Sequence, residues 1–512
     1  MVLNLKAVAG VLGALLFALG VSLLAPMAVA LFYGEPQWWG FGTVAVGSLL
    51  VGGGCWMLFK PDSELRTRDG FAIVALAWLV LSLVGALPFL ITGVLTEYSD
   101  AFFETMSGFT TTGATILGGA DTPAIEEIPN AFLFWRSLTH WMGGMGIIVL
   151  TLAVLPLLGI GGMQLFKAEV PGPQTDKLTP RVTETAKRLW AIYVGLTVIE
   201  IFLLLPAMSP FDAVNHAFAT MATGGFSTEN GSVGQYGSAY IDWVIIVFMV
   251  LAGINFTMHY LMLHRQFTPI WRNEEFRVYI AILLGATAIL TVALWKPANP
   301  VIPDAVTLNG EVVEQEITAL GEDGVAVDEA VTSNEGRAGS EEMGGGAEVR
   351  ERDVRGRRIV RYDSFWTSLR YSAFQAAAIT TTTGFGTADY ELWPPLAISV
   401  IFALFFVGGM AGSTGGGVKV VRVLLILKNS FREFKKLIHP QAVIPVRLNH
   451  RVVSDSIMQN VLSFIVLYIG LIGLGTLLLG FLGLDLMSAV GAALSSVGNV
   501  GPAFGTFGPT EN

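Results

Sequence analysis

Thr380-Thr381-Thr382-Thr383-Gly384-Phe385-Gly386-Thr387 places a glycine after a run of hydroxyl side chains, between two apolar segments of membrane length. The pattern occurs three more times in this chain of 512 residues: Thr110-Thr111-Thr112-Gly113-Ala114-Thr115, Thr223-Gly224-Gly225-Phe226-Ser227-Thr228 and Ser495-Ser496-Val497-Gly498-Asn499. Thirteen residues before the glycine stand Asp100, Asp212 and Asp485, and in the remaining copy Tyr371. Four quasi-repeats predict a single pore with pseudo-fourfold symmetry, built from one chain.

The composition is that of a membrane protein. The chain is 53% hydrophobic and only 14% charged, whereas soluble domains are about a quarter charged. Its net charge of −10 gives no indication of nucleic-acid binding. Apolar stretches long enough to span a bilayer occur near 7–33, 39–59, 71–95, 131–160, 186–207, 241–263, 277–295, 392–426 and 456–482. The first stretch is too long for the apolar core of a signal peptide, so we expect an uncleaved helix in preference to a cleaved signal.

The glycine stretches lie in segments too short to cross the bilayer and return as ordinary loops. Such segments suit re-entrant pore loops, whose backbone must be shielded by protein or line a water-filled cavity. We predict an all-α polytopic membrane protein with two N-terminal helices at 1–60 and four helix–pore loop–helix units. The units, each with its pore loop, are 61–160 (100–115), 183–264 (212–228), 276–430 (370–387) and 456–512 (485–501). Because the sequence ends at Asn512, we expect the fourth unit to lack its last helix.

Basic residues indicate the orientation. With the N-terminus inside, most of the 30 basic residues fall on cytoplasmic connections, as the positive-inside rule requires. They are Lys6, Lys60, Arg66, Arg68, Lys167, Lys177, Arg181, Lys187, Arg188, Arg265, Arg272, Arg277, Lys419, Arg422, Lys428, Arg432, Lys435, Lys436, Arg447 and Arg451. We therefore expect a multi-pass protein of the cell membrane whose pore loops open outward. The acidic, glycine-rich insertion at 298–363 then also lies outside, as a solvated loop or as an attractor of cations.

The residue types around the glycines suit cation binding. Backbone carbonyls and hydroxyls can replace the hydration shell of potassium, and glycine lets the backbone approach an ion closely. Aspartates near the start of short helices would cap free N–H groups, and the partially negative helix ends would face the cation. The predicted ion-binding residues are Thr111, Thr112, Gly113, Thr223, Gly224, Gly225, Thr382, Thr383, Gly384, Ser496, Val497, Gly498 and Asn499.

A second glycine-rich stretch lies inside the apolar span after the third pore loop. Its residues Gly408, Gly409, Gly412, Ser413, Thr414, Gly415, Gly416 and Gly417 would break a transmembrane helix. It lacks the Gly-Lys-Ser/Thr end of a nucleotide-binding loop. Because an unwound segment at membrane depth must line a cavity, we predict a flexible gate below the filter, with a packing kink as the alternative.

The sequence gives little support for an enzyme. The six histidines have no metal-ligand spacing to one another, and there is no nucleophile elbow. His216 and Glu104 lie on pore-helix segments, where we expect hydrogen bonding and not catalysis.

Five further stretches carry a resemblance to a known family. They are Phe103-Glu104-Thr105-Met106-Ser107-Gly108-Phe109, Trp135-Arg136-Ser137-Leu138-Thr139-His140-Trp141-Met142-Gly143-Gly144-Met145-Gly146, Lys177-Leu178-Thr179-Pro180-Arg181, Ala411-Gly412-Ser413-Thr414-Gly415-Gly416-Gly417 and Gly498-Asn499-Val500-Gly501-Pro502. Together with the glycine stretches they resemble the Trk/Ktr/HKT superfamily of potassium transporters, and its TrkH type in particular, over nearly the whole chain.

The resemblance implies a function and partners. Members with glycine at all four filter positions prefer potassium, and Gly113, Gly225, Gly384 and Gly498 match that pattern. The segment 408–417 matches the family's intramembrane gating loop. Members pair as homodimers and bind a cytosolic TrkA-type nucleotide-sensing subunit, to which the basic connection 419–451 would be available. The resemblance thus implies no covalently bound cofactor, potassium as the substrate, and nucleotide only through the partner. A sodium-coupled or sodium-permeable relative, and a non-conducting truncated scaffold, are the alternatives.

Overall fold

The computed structural model describes residues 4–59, 67–119, 122–149, 182–295, 362 and 364–509. Most of the described chain is helical. Some predictions fall outside these residues: nearly all of the insertion 298–363, the end of the first unit at 150–160, and Lys60, Arg66, Lys167, Lys177 and Arg181.

Three helices begin the chain, α1 (Leu5–Ser22), α2 (Leu24–Tyr33) and α3 (Trp38–Leu58). Glycines let α1 and α3 pack closely, because a β-carbon on Gly13 would lie only 2.6 Å from Cβ of Cys55. Together α1 and α2 are long and apolar enough for one span, at the first predicted apolar stretch.

The following helices enclose four short ones. The longer and intervening helices are α4 (Thr67–Gly85), α5 (Leu87–Ile91), α7 (Asn130–Val149), α8 (Val182–Leu204), α10 (Ala239–Ala252), α11 (Phe256–Leu263), α12 (Phe267–Arg272), α13 (Glu274–Trp295), α15 (Pro395–Leu404), α16 (Val420–Ile438) and α17 (Asp455–Phe481). The four short helices that carry the site are α6 (Tyr98–Thr110), α9 (Pro210–Met221), α14 (Phe365–Thr380) and α18 (Leu486–Gly498).

A 3₁₀ turn follows each of these four helices along the chain, at Ile125–Glu127, Ser232–Tyr236, Tyr390–Leu392 and Gly505–Phe507. The strands are two residues long: β1 (Arg447–Leu448) pairs antiparallel with β2 (Arg451–Val452).

Among the described residues, five helices are long and apolar enough to cross a membrane, and a bent pair makes a sixth candidate. The short helices pack among them: α6 on α4 and α7, α9 on α7, α8 and α10, α14 on α10, α13 and α15, and α18 on α17. The buried indole of Trp135 on α7 shows this packing, since it contacts the Phe109 ring of α6 edge-on at 6.0 Å between centroids.

Two predicted spans are broken. The stretch 241–263 forms α10 and α11, which meet at 103°, a break that the apolar pattern did not predict. Asn255 accounts for it, because its Oδ1 accepts the Thr257 N–H at 2.8 Å and begins α11. The stretch 392–426 is interrupted between α15 and α16 by the glycine-rich residues, as predicted.

Candidate functional site

Each of the four short helices is followed by the same backbone turn. One residue takes a left-handed conformation: Thr111 (φ 58°), Thr223 (φ 56°), Thr382 (φ 58°) and Asn499 (φ 60°). Two residues later a glycine has positive φ: Gly113 (φ 77°), Gly225 (φ 80°), Gly384 (φ 79°) and Gly501 (φ 101°). Left-handed threonines are uncommon and strained, and such strain concentrates at functional sites. The residues 111–116, 223–228, 382–387 and 499–504 are called here the first, second, third and fourth segments.

The four segments form a closed ring in chain order. A β-carbon on Gly113 would overlap the carbonyl oxygen of Gly224, and one on Gly225 would overlap that of Thr383. In the same way Gly384 faces the carbonyl of Val500. A β-carbon on Gly501 would lie 2.8 Å from the Thr112 carbonyl, which closes the ring. Each glycine therefore leaves room for a backbone oxygen of the next segment.

The fourth place in this ring belongs to Gly501, which corrects the equivalence of Gly498 with the other three glycines. Ser496, Val497 and Gly498 belong to the last turn of α18 instead of the ring. Asp485 is the N-cap of α18, whereas Asp100 and Asp212 are third residues of their helices. Counting thirteen residues from Asp485 thus ends three residues early. The corresponding residue of α18 is Ser488, thirteen before Gly501.

The helix starts also refine the capping prediction. Asp485 caps α18 directly, accepting from the N–H groups of Met487 at 3.0 Å and Ser488 at 3.1 Å. In α9 the cap is Ser209, which accepts the Asp212 N–H at 3.1 Å and donates its hydroxyl to that carboxylate at 2.7 Å. In α6 the N-cap is Glu97 and makes no side-chain cap hydrogen bond.

Hydroxyl and amide groups complete the oxygen-rich ring. The hydroxyls of Thr110 and Thr112 lie 2.8 Å apart, and those of Thr381 and Thr383 lie 2.7 Å apart. Asn499 joins the fourth segment to the first: its Nδ2 donates to the Thr110 carbonyl at 3.1 Å, and its Oδ1 accepts from Thr112 Oγ1 at 2.6 Å. Neutral oxygens of this kind are the groups that can replace the hydration shell of a weakly hydrated cation.

The residues between α15 and α16 fold back against the ends of three short helices. Thr414 Oγ1 donates to the Met221 carbonyl of α9 at 3.1 Å. The Gly416 N–H donates to Thr382 Oγ1 at 2.6 Å, and a β-carbon on Gly416 would lie 2.6 Å from Cβ of Asn499. The predicted residues 408–417 therefore adjoin the C-terminal end of α9 and the first residues of the third and fourth segments. Glycine permits this close packing.

Groups from other helices hold this loop. Glu275 of α13 is buried, and its Oε1 accepts the Ala411 N–H at 2.7 Å. The Met410 N–H donates to the Gly253 carbonyl at 2.9 Å, where the bend between α10 and α11 frees that acceptor. The ammonium of Lys419 donates to the Gly415 carbonyl. The loop is thus an ordered structure with defined contacts at both ends.

A buried ion pair lies behind the ring. Arg136 Nε of α7 donates to Glu104 Oε1 of α6 at 2.6 Å, with side chains 2% and 1% exposed. The sequence motifs contain both residues, but their spacing gave no sign of the pair. No group of three or more His, Cys, Asp or Glu side chains in the described part of the chain is placed to hold a metal ion.

Three carboxylates, those of Glu126, Asp212 and Glu229, lie at the end of the second segment or bind residues next to it. Thr228 Oγ1 donates to Asp212 Oδ1 at 2.7 Å, and the Asn230 N–H donates to Glu126 Oε1 at 2.8 Å. Partial burial, and then the negative charges of Glu126 and Asp212, raise the pKa of Glu229 to about 7. Glu229 is therefore half ionised near neutral pH.

Known proteins resemble this chain in sequence and in structure. The family model described as TrkH, cation transport protein, matches residues 43–511. The Trk system potassium uptake protein TrkH of Halomonas elongata is 37% identical, covering 98% of this chain and 91% of that protein. Its namesake in Escherichia coli K12 is 35% identical with the same coverage. The crystal structure of the potassium transporter TrkH from Vibrio parahaemolyticus is 33% identical with a TM-score of 0.77, covering 98% and 91% of the two chains.

Proposed function

The chain belongs to the TrkH family of cation transport proteins, and on this premise we propose that it takes up potassium across the cell membrane. The ring of four segments is the selectivity filter, and the loop at 408–417 is its gate. The similarity of the whole chain to proteins named as Trk system potassium uptake proteins supports potassium as the substrate.

The observation that carries the proposal is the closed ring of glycines and carbonyls. Potassium loses its hydration shell only where protein oxygens replace it, and four carbonyls come from Thr112, Gly224, Thr383 and Val500. The ends of the short helices add partial negative charge at the ring. No side-chain carboxylate is needed in such a filter, which favours a large, weakly hydrated monovalent cation over a divalent one.

The gate assignment rests on the position of the loop. It contacts the ends of α9 and α14 and lies against Asn499, directly below the ring. It is also non-helical backbone within an apolar stretch, which a membrane tolerates only next to protein or a cavity. The loop is held by separate hydrogen bonds, such as that from the Ala411 N–H to Glu275, and not by a helix, so it can move without unfolding one.

The proposed orientation rests on charge, and the proposed partners rest on the family. We propose that the N-terminus is cytoplasmic and that the 3₁₀ turns after the short helices face outward, by the positive-inside rule. On the premise of its family, the chain works as a homodimer with a TrkA-type cytosolic subunit, which would meet the basic residues of α16 and the β1–β2 hairpin. Nucleotide would act only through that subunit.

The test is uptake of ⁸⁶Rb⁺ and ²²Na⁺ by cells that lack potassium uptake, with and without a TrkA-type subunit. We expect the chain to restore Rb⁺ uptake and growth at low external potassium. The G225A variant should abolish uptake, because its β-carbon would overlap the Thr383 carbonyl. The matched control is G470A on α17, where nothing lies within 4 Å of the added carbon.

Each outcome separates the alternatives. Absence of uptake by the chain at normal membrane abundance would exclude the transport proposal and favour a non-conducting scaffold. Equal uptake of Na⁺ and Rb⁺ would indicate a sodium-permeable relative.

A further inference from the structure

We propose that Arg136 and Glu104 are positioning residues that set the spacing between the first and second segments, and through it the preference for potassium over sodium. This inference rests on the proposed function, since it assigns a role within the same filter. Neither side chain touches the ion; both act through the segments that they hold.

Glu104 holds the first segment. Its two carboxylate oxygens accept the Thr115 hydroxyl, each at 2.9 Å, and Oε2 also accepts the Ile116 N–H at 3.2 Å. Thr115 follows Gly113 by two residues, so the carboxylate fixes the part of the first segment that leaves the ring. Charge-assisted bonds of this kind are shorter and stronger than neutral ones.

Arg136 carries this anchor across to the second segment. Its Nη2 donates to Thr115 Oγ1 at 3.1 Å, and its Nη1 donates to the Ser227 carbonyl at 3.2 Å. Ser227 follows Gly225 by two residues, as Thr115 follows Gly113. The guanidinium therefore joins equivalent points of two neighbouring segments.

Ring contacts reinforce the join. The guanidinium carbon lies 4.2 Å from the centroid of the Phe226 ring, and the His140 ring stacks on the same phenyl with centroids 4.0 Å apart. Arg136 and His140 are one turn apart on α7, so one helix face holds Phe226 of the second segment. His140 also packs behind Gly224, where a β-carbon would lie 2.5 Å from Nδ1.

The equivalent positions of the other short helices lack this bridge from a carboxylate. His216 corresponds to Glu104, and its Nε2 meets Ser227 Oγ at 3.0 Å within its own segment. Gln375 of the third donates to the Ala388 carbonyl at 3.5 Å, and the fourth has Ala492. Among these four equivalent positions, only Glu104 takes part in a buried charge pair, and that pair joins the first segment to the second.

The spacing matters because the ion meets carbonyls from neighbouring segments together. The number and distance of those oxygens decide how well potassium competes with the smaller sodium ion. A planar guanidinium with fixed donors can keep two segments at one distance, and a flexible ammonium cannot.

The test is R136K, which keeps the charge but replaces the rigid fork of donors to Glu104, Thr115 and Ser227 by one ammonium nitrogen on a flexible stem. We expect the ratio of ⁸⁶Rb⁺ to ²²Na⁺ uptake to fall by about tenfold, as for the loss of one charge-assisted hydrogen bond. A structural role alone would lower abundance and leave this ratio unchanged. The matched control is R370K, which alters the ion pair of Arg370 with Asp242 (3.4 Å) in the first half of α14, ten residues before that helix ends at Thr380.

A second measurement does not depend on transport. We expect purified protein to be stabilised against heat more by K⁺ than by Na⁺, and this difference to disappear in R136K but not in R370K. The E104Q/R136Q double variant removes both buried charges, so it avoids the unpaired charge of a single variant, and it should also lose the difference.

The outcomes are distinct. A wild-type uptake ratio and K⁺-specific stabilisation in R136K would overturn the positioning role while leaving the proposed function intact. Failure of the wild-type protein to take up Rb⁺ would count against the proposed function, and the stabilisation assay would then still decide whether Arg136 governs ion preference. If R136K does not reach the membrane, the double variant decides by the same two measurements.

Discussion

Replacing Gly501 by alanine, next to the same change at Gly498, tests which glycine completes the ring. Gly501 has φ 101° and faces the Thr112 carbonyl, from which a β-carbon would lie only 2.8 Å. Gly498 is helical, and the nearest atom to its β-carbon would be the Tyr468 hydroxyl oxygen at 3.1 Å, at the end of a side chain. The two substitutions are chemically identical and three residues apart.

The two substitutions should change the free energy of unfolding in opposite directions. Alanine at a strongly positive φ costs on the order of 1–3 kcal/mol, before the crowding against the carbonyl is added. Alanine in place of a helical glycine stabilises by up to about 1 kcal/mol, which offsets the adjustment of Tyr468. Because the added carbon of G501A also displaces the Thr112 carbonyl of the ring, we expect G501A to lower the Rb⁺ to Na⁺ uptake ratio by about tenfold, which corresponds to about 1.4 kcal/mol of discrimination between the ions. G498A should leave the ratio within about twofold.

The assay is initial uptake of ⁸⁶Rb⁺ and ²²Na⁺ at equal membrane abundance, with thermal unfolding of both purified variants. A G498A variant that loses ion preference while G501A keeps it would refute the assignment and restore the equivalence drawn from sequence. Loss in both would mean that the last turn of α18 also shapes the ring.

Three further predictions concern other parts of the site. G113S should raise ²²Na⁺ uptake relative to ⁸⁶Rb⁺, because its side chain would displace the Gly224 carbonyl; an unchanged ratio would remove Gly113 from the filter. E275A removes the carboxylate that accepts the Ala411 N–H and holds the loop, a hydrogen bond worth about 1.5 kcal/mol or more. We expect the freed loop to give faster Rb⁺ uptake at an unchanged Rb⁺ to Na⁺ ratio. A changed ratio would argue against a gate that is separate from the filter. Raising external pH from about 6 to about 8 should lower the KM for Rb⁺. The reason is that Glu229, with its pKa of about 7, becomes negatively charged across this range and attracts cations. E229Q should abolish this pH dependence, and an equal pH dependence in E229Q would show that another group causes it.

Local patterns predicted three quarters of the ring. Threonines before glycine and the distance to the helix start are short-range features, so Gly113, Gly225 and Gly384 lie together as the repeats suggested. The fourth position failed because Asp485 caps its helix from outside, three residues before the place that Asp100 and Asp212 hold. Asn499 stands two residues before Gly501, and because asparagine adopts the left-handed conformation more readily than most residues, this spacing would have pointed to Gly501.

Contacts between distant parts of the chain could not be predicted in this way. The break at 408–417 followed from the glycines of that stretch. The carboxylate that binds the loop, Glu275, lies 136 residues earlier in the sequence, and nothing in its sequence neighbourhood indicates that it contacts this loop. The same holds for Arg136, whose bond to Ser227 joins residues from different units. The spacing of residues indicates which side chains share a face of one helix, but it does not indicate which other helix that face will contact.

The ring is made from one polypeptide, so different side chains bridge different contacts between its segments. Asn499 bridges the fourth segment to the first, whereas Arg136 bridges the first to the second. In a pore of four identical subunits, every substitution is repeated four times and must be tolerated four times at once. Here a single codon changes a single contact. Selection can therefore adjust the affinity or the ion preference in small steps, a freedom that a symmetric tetramer lacks.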